Sequence, residues 1–353
     1  MVERRTGVGV AVVGHSVAGQ APARQRRAPR ITALGGGQGL SASLSALRRL
    51  TTELTAVVTV ADDGGSSGRL RAELGVLPPG DLRKALAALC GDDEWGRTWS
   101  EVIQQRFTGD GELGGHAVGN LLIVALWEKL GDPVAALEWV GKLLNVQGRV
   151  LPMSAVPLDI EADVRGHDPA RPAELTAVRG QAHVAVTPGT VESIRLLPEE
   201  PPAVPEAVKA VLDADWVVLG PGSWFTSVLP HLLVPELAAA LSETRARRLL
   251  TLNLAPQPGE TEGFTPQRHL EVFADHAPGL SVDAILVDER AVTGGAFGQA
   301  DLAGLEKAAG RMGAALVLDR VAAADGTPRH DRELLAAAYD RIFRTHGRIG
   351  PWR

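Results

Sequence analysis

Apolar and polar positions alternate along this chain in blocks that read as strand, turn and helix in repeated order. A short apolar run, Ile31 to Leu34, leads into a glycine cluster and then a helix from about Ser41, with Leu44, Leu47 and Leu50 at helical spacing. A β-branched run follows, Thr55 to Val60, and ends on a second polar, glycine-rich loop. Further on, Leu121 to Leu130 reads as a strongly apolar helix, and Asp215 to Leu219, Arg248 to Asn253 and Asp283 to Asp288 read as strands separated by helical patterns. Arg332 to Arg344 closes the chain as an amphipathic helix. Between about 145 and 200 the pattern changes to short β-like runs broken by Pro and Gly: Val146 to Met153, Val156 to Val164, His183 to Val186 and Ser193 to Leu197. They predict a small antiparallel insertion flanking the main sheet of an α/β fold.

The candidate chemistry sits in the loops after the strands. Gly35, Gly36, Gly37 and Gly39 let the backbone turn tightly and approach a ligand, and the helix that follows aims its free N–H groups and positive dipole end there. The cluster lacks the Lys of a P-loop and departs from GxGxxG, so on its own it is a structural turn or a phosphate cradle. The second loop weights the choice towards a ligand. Asp62, Asp63, Gly64, Gly65, Ser66, Ser67, Gly68 and Arg69 pack carboxylates, hydroxyls, a guanidinium and backbone freedom into eight positions. Asp62 lies 25 residues after Gly37, close to where an acidic residue holds a ribose hydroxyl.

Three more clusters join them. Asp81 and Arg83 lie in a turn into a helix, where Asp81 is a helix cap or a site residue. Arg106 precedes a stretch in which His116, Gly119 and Asn120 open the apolar helix; His116 reads as a ligand contact in preference to a cap or a core histidine. Gly220, Gly222, Ser223, Thr226 and Ser227 follow the Asp215 to Leu219 strand, and Asn253 and Glu260 lie in the next loop on the same expected edge. Arg71 and Lys84 read as solvated helix-face residues, and Trp95 and Trp99 as packing.

Composition narrows the ligand. The 353 residues carry 36 Lys and Arg against 42 Asp and Glu, a net charge of −6. Such a chain is unsuited to nucleic acid or a membrane surface, so basic groups gathered in one place point to a small anion. The single Cys90 excludes an intrachain disulfide, reads as a core residue and fits a reducing cytoplasm. No run of eighteen apolar residues exists, so no membrane span is expected. Residues 1–29 read as a disordered tail, or as the product of a start codon placed too early; their apolar stretch is too short and glycine-broken for a typical signal peptide. Residues 30–353 form the single remaining domain.

ALGGGQGLS, VTVADDGGSSGRLR, LPPGDLRKAL, GGHAVGNLL and VLGPGSWFTSVLPHLLV, in that order, resemble the YvcK family within the CofD-like superfamily, over nearly all of residues 31 to 290. The resemblance implies a Rossmann-like, mostly parallel sheet with helices on both faces. It implies binding of UDP-N-acetylglucosamine by a gluconeogenesis factor that affects cell shape and envelope-precursor supply, with Asp81 and Arg83 lining the site. The CofD branch instead implies Mg²⁺-dependent transfer of a phospholactyl group to a deazaflavin. Where the family has Gly-Glu-Ser this chain has Gly180, Gln181 and Ala182, and no base-stacking aromatic is obvious within 291–315, the sole tyrosine being Tyr339.

The residues fit a non-catalytic regulator that binds the nucleotide sugar across loops 35–39, 62–69, 116–120 and 220–227 and relays occupancy to a partner enzyme. No cofactor is required for this, although Mg²⁺ could accompany the diphosphate on Asp62 and Asp63. The alternatives are the Mg²⁺-dependent transferase and, more weakly, an NAD-binding oxidoreductase, which the imperfect GxGxxG disfavours. CofD-like proteins suggest a homodimer.

Overall fold

A computed structural model describes residues 27–294 and 301–346; the first 26 residues of the expected tail, and residues 295–300 of the 291–315 stretch with Phe297 among them, lie outside them. Ten strands form two sheets. The larger has seven: β1 (Ile31–Gly35), β2 (Leu54–Val58), β3 (Arg149–Pro152), β7 (Trp216–Leu219), β8 (Arg247–Thr251), β9 (Ala284–Asp288) and β10 (Ala315–Asp319). Their order is β10-β9-β8-β7-β1-β2-β3, and every pairing is parallel. β1, β7 and β9 are buried along their whole length. A strand covered on both faces needs continuous apolar residues, which is why these segments read as unbroken apolar runs.

The helices around the sheet begin with α1 (Gly37–Leu47), α2 (Gly65–Leu74), α3 (Pro79–Leu89), α4 (Glu94–Gln104), α5 (Val118–Leu130) and α6 (Pro133–Leu144). The Arg332–His346 helix packs back on α1. Tyr339, fully buried within it, places its hydroxyl 2.9 Å from Ser43 Oγ and 3.1 Å from Thr251 Oγ1. Cys90 is buried, as its place in the apolar pattern predicts. Among the described residues no single helix is long and apolar enough to cross a membrane.

The smaller sheet has three antiparallel strands, β4 (Asp159–Arg165), β5 (Leu175–Arg179) and β6 (Thr190–Leu197), in the order β5-β4-β6. Alternate residues of β4 are buried. Its other face carries ion pairs, Arg195 with Glu161 and Asp163 among them.

Three expectations are corrected here. The run Val146 to Met153 belongs to the main sheet, where β3 pairs parallel with β2, so the antiparallel unit begins later. His183 to Val186 is not a strand; Gln181–Val184 is a helical turn entered from Gly180. β5 went unpredicted because it is largely exposed and lacks an apolar run. At the other end, the chain is held from residue 27 rather than 30. Arg27 pairs with Asp215, the Arg30 N–H donates to the same carboxylate, and Thr51 Oγ1 donates to the Pro29 carbonyl.

Candidate functional site

From β1 the strand order runs one way through β2 and β3 and the other way through β7 to β10. The direction of winding therefore reverses between β1 and β7, and ligands of open parallel sheets bind outside the carboxyl ends of the strands at that point. The two loops that leave there touch through main chain. A Cβ on Gly39 would overlap the Pro221 carbonyl and lie 2.5 Å from Gly222 Cα. A Cβ on Gly36 would lie 2.5 Å from Thr59 Cγ2, 2.7 Å from Asp81 Oδ2 and 3.1 Å from Ser227 Oγ. Thus Gly36, Gly39, Thr59, Asp81, Gly222 and Ser227 meet at one place.

Helix α1 starts at Gly37, at φ +58°, four residues before the expected start near Ser41. The Gly36–Gly39 segment is consequently the helix N-terminus itself. The Gly37 N–H donates to Asp81 Oδ2 at 2.8 Å. Asp81 is the third residue of α3, which is preceded by Pro78, so it is not the cap of its own helix. It reaches across to α1, and its other oxygen accepts from Lys84 Nζ at 2.9 Å. Lys84 is accordingly part of the site's framework rather than a solvated side chain. Arg71 is not solvated either: it bonds the Leu158 carbonyl and Asp159.

The loop after β2 has a different construction. Asp62 Oδ1 accepts from the Gly64 N–H, and a Cβ on Gly80 would lie 2.9 Å from Asp62 Oδ2. Ser67 Oγ accepts from the Gly80 N–H, and Gly68 packs directly on the Asp63 carbonyl. Burial raises the Asp62 carboxyl above its ordinary value, against the hydrogen bond from Gly64. Asp63 turns the other way, accepting from the Ala182 N–H at 2.8 Å. The two carboxylates therefore diverge. A magnesium ion arriving with a diphosphate would find Asp62, which fits one carboxylate plus phosphate oxygens; Asp63 is already engaged. Among the described residues no three His, Cys, Asp or Glu side chains form a metal-binding group. Gly65, Ser66 and Ser67 make the first turn of α2, whose N–H groups carry the positive end of that helix.

Helix α5 completes the site. Gly119 and Asn120 lie in its first turn. Asn120 Nδ2 donates to Ser66 Oγ at 2.9 Å, and His116 Nδ1 lies 3.0 Å from the same oxygen. The Ser66 hydroxyl has one proton and two lone pairs, so while accepting from Asn120 it can meet either tautomer of a neutral His116. Burial, then the charge of Arg69, lowers the His116 pKa and favours this neutral form. Asn120 Oδ1 is buried without a partner.

Arg83 stands out. It is 4% exposed, its stem lies against Gly119, and its Nε and Nη1 are buried without any hydrogen-bond partner. Burial, then the charge of Arg106, lowers its pKa, while Asp81 and Asp62 oppose them. A guanidinium whose buried N–H groups lack acceptors costs stability unless something else supplies them.

Other expected site residues serve as buttresses. Arg69 donates to the carbonyls of Glu112 and Gly114, and Arg106 to that of Gly115; both are exposed and brace the loop before α5. Asn253 grips Gly222 through both its N–H and its carbonyl. Glu260 accepts from the N–H groups of Phe225 and Thr226, which open a π-helical turn, Trp224–Val228. Burial pushes its carboxyl up to about 7. Gln257 Nε2 reaches Ser223 Oγ, and Ser43 Oγ donates to the Gly220 carbonyl. Thr59 and Gly80 escaped the sequence reading as site residues, and Lys84 was read as solvated. Thr59 lies inside a β-branched run, and only Gly80, between proline and aspartate, carried a turn signal.

Comparison with known proteins agrees with this architecture. The sequence model of the family described as 2-phospho-L-lactate transferase CofD matches residues 31–310. A Mycobacterium tuberculosis protein named "Putative gluconeogenesis factor" is 55% identical over 312 residues, 88% of this chain and 90% of that protein. The Listeria monocytogenes "Gluconeogenesis factor" is 34% identical over 314 residues, 88% of this chain and 94% of that protein. A Bacillus halodurans protein of the UPF0052 family, solved by crystallography, superposes with a TM-score of 0.78 at 33% identity, covering 89% of this chain and 99% of that one.

Proposed function

The chain belongs to the CofD family, in the gluconeogenesis-factor (YvcK) branch, and from that premise we propose that it is a cytoplasmic regulator that binds UDP-N-acetylglucosamine. Its role would be to report the level of this envelope precursor to a partner enzyme, linking gluconeogenic growth to cell shape. The observation that carries the reading is Arg83, whose buried Nε and Nη1 have no hydrogen-bond partner and whose stem packs on Gly119 in the first turn of α5. A diphosphate supplies the negative charge that Arg83, the α1 turn at Gly37 and the α2 turn at Gly65–Ser67 have in common. Asp62 is placed for a ribose hydroxyl, or for Mg²⁺ carried by the diphosphate. His116, through Nε2, and Asn120, through its free carbonyl, offer polar groups to sugar hydroxyls.

The description of the CofD family favours a second reading, a Mg²⁺-dependent transferase using Asp62. Isothermal titration with UDP-N-acetylglucosamine, with and without Mg²⁺, separates the two when the ligand is recovered and analysed. The expected result is micromolar binding of a ligand that comes back intact. Breakdown of the nucleotide sugar would establish an enzyme, and absence of binding would overturn the assignment of the ligand.

A further inference from the structure

On the helix layer, outside the crevice just described, α1, α3 and α4 leave an open cleft of about 320 Å³, with Arg332 of the last helix at its edge. That volume lies at the lower end of small-molecule sites. Four cations line it, Arg48, Lys84, Arg97 and Arg332, against two carboxylates, Asp92 and Glu101. The surplus is positive in a protein whose net charge is −6.

Three of these cations converge on Asp92, while Lys84 is paired with Asp81. Arg48 Nη2 bonds its carboxylate at 2.5 Å, Arg97 donates to its backbone carbonyl, and the charge of Arg332 acts on it as well. The pairing is lopsided. The Arg48 side chain is 7% exposed, with Nε buried and unpartnered, whereas the Asp92 side chain is 59% exposed. One solvated carboxylate therefore offsets part of a charge cluster whose deepest member stays only partly satisfied.

Lys84 joins this cleft to the crevice. It lines the cleft, and its ammonium pairs with Asp81, whose other oxygen holds the Gly37 N–H. An anion in the cleft competes with Asp81 for Lys84, and any change at Asp81 is felt at the first N–H of the glycine loop.

We propose that the cleft between α1, α3 and α4 is a second binding site, for a small phosphoryl-bearing anion, coupled to the crevice through Lys84 and Asp81. The cleft's cations determine the class of ligand and the shared ion pair determines the coupling. Coupling of this kind is reciprocal.

The test is NMR of the full chain, following the Arg48 Nε–H and Gly37 N–H resonances during titration with inorganic phosphate at ionic strength held constant with chloride. Both resonances should move with one midpoint. The double variant Arg97→Gln/Arg332→Gln, at two exposed positions, should weaken that midpoint about tenfold for both resonances together. In Lys84→Met the Arg48 signal should still respond while the Gly37 signal no longer follows it. An Arg48 signal that chloride moves equally, or that ignores the double variant, overturns the site. A Gly37 signal that titrates independently overturns the coupling. Repeating the titration with glucose 6-phosphate distinguishes the sources: tighter binding than phosphate identifies a phosphorylated metabolite, and equal binding identifies free phosphate.

Discussion

At the scale of single residues, Arg83 separates function from stability. A buried cation without a hydrogen-bond partner lowers stability, and replacing such groups by apolar ones of similar size is often neutral or stabilising. Arg83→Met should therefore melt no lower than the native chain. The same variant should bind UDP-N-acetylglucosamine on the order of 10- to 100-fold more weakly, the cost of one or two charge-assisted hydrogen bonds. Calorimetry of both properties checks it, and a parallel loss of stability would make Arg83 a structural residue. The sequence made Arg83 a candidate but could not separate it from Arg69 and Arg106. All three are arginines within three residues of a glycine; only burial and the identity of their partners tell them apart. Asp81 was legible as a polar residue at a helix start. That it serves the neighbouring helix was not, because a cap is read from local spacing and this contact spans 44 positions.

At the scale of elements, the crevice is made where the loop after β1 presses on the loop after β7. Gly39→Ala would put a methyl group into the Pro221 carbonyl, and backbone cannot rotate away as a side chain can. The variant should lose about 2–4 kcal/mol of stability, as overpacked sites do, and its residual folded fraction should bind ligand poorly. Denaturant unfolding with a parallel binding assay measures both. Strands were easier to read than helix starts. The apolar runs of β1, β2, β7 and β9 follow from burial on both faces, whereas α1 begins inside a glycine cluster that no propensity would start a helix in. Its first turn is secured by Asp81, from outside the helix. β3 was legible as a strand but not as a member of the larger sheet, since an edge strand of four residues carries no mark of its neighbour.

At the scale of the whole molecule, Glu260 links stability to pH. Its carboxyl holds its proton up to about 7 in the folded chain, against 4.5 for an ordinary glutamate. Between these values the folded state binds more protons than the unfolded one, so stability falls as pH rises through that window and levels off above it. The loss is on the order of 3 kcal/mol. Glu260→Gln keeps an oxygen for the N–H groups of Phe225 and Thr226 and removes the titration. Its unfolding free energy should lack this slope when measured from pH 4.5 to 7.5; an unchanged slope would assign the effect to other groups. The parallel α/β architecture was legible as a whole because alternation of strand and helix patterns reports topology. The order in which the strands lie was not legible, because no local pattern names a strand's neighbour.

The contact of Gly39 with Pro221 also bears on inheritance. The width of the crevice is set by two stretches of main chain, and main chain is the same whatever side chains surround it. A lineage can exchange the residues that line the opening, and with them its preference among nucleotides and sugars, while the spacing between the walls passes on unaltered. What has to be kept at that point is the lack of a single carbon atom, a constraint that leaves no mark in the chemistry of the opening and yet sets the distance between its walls.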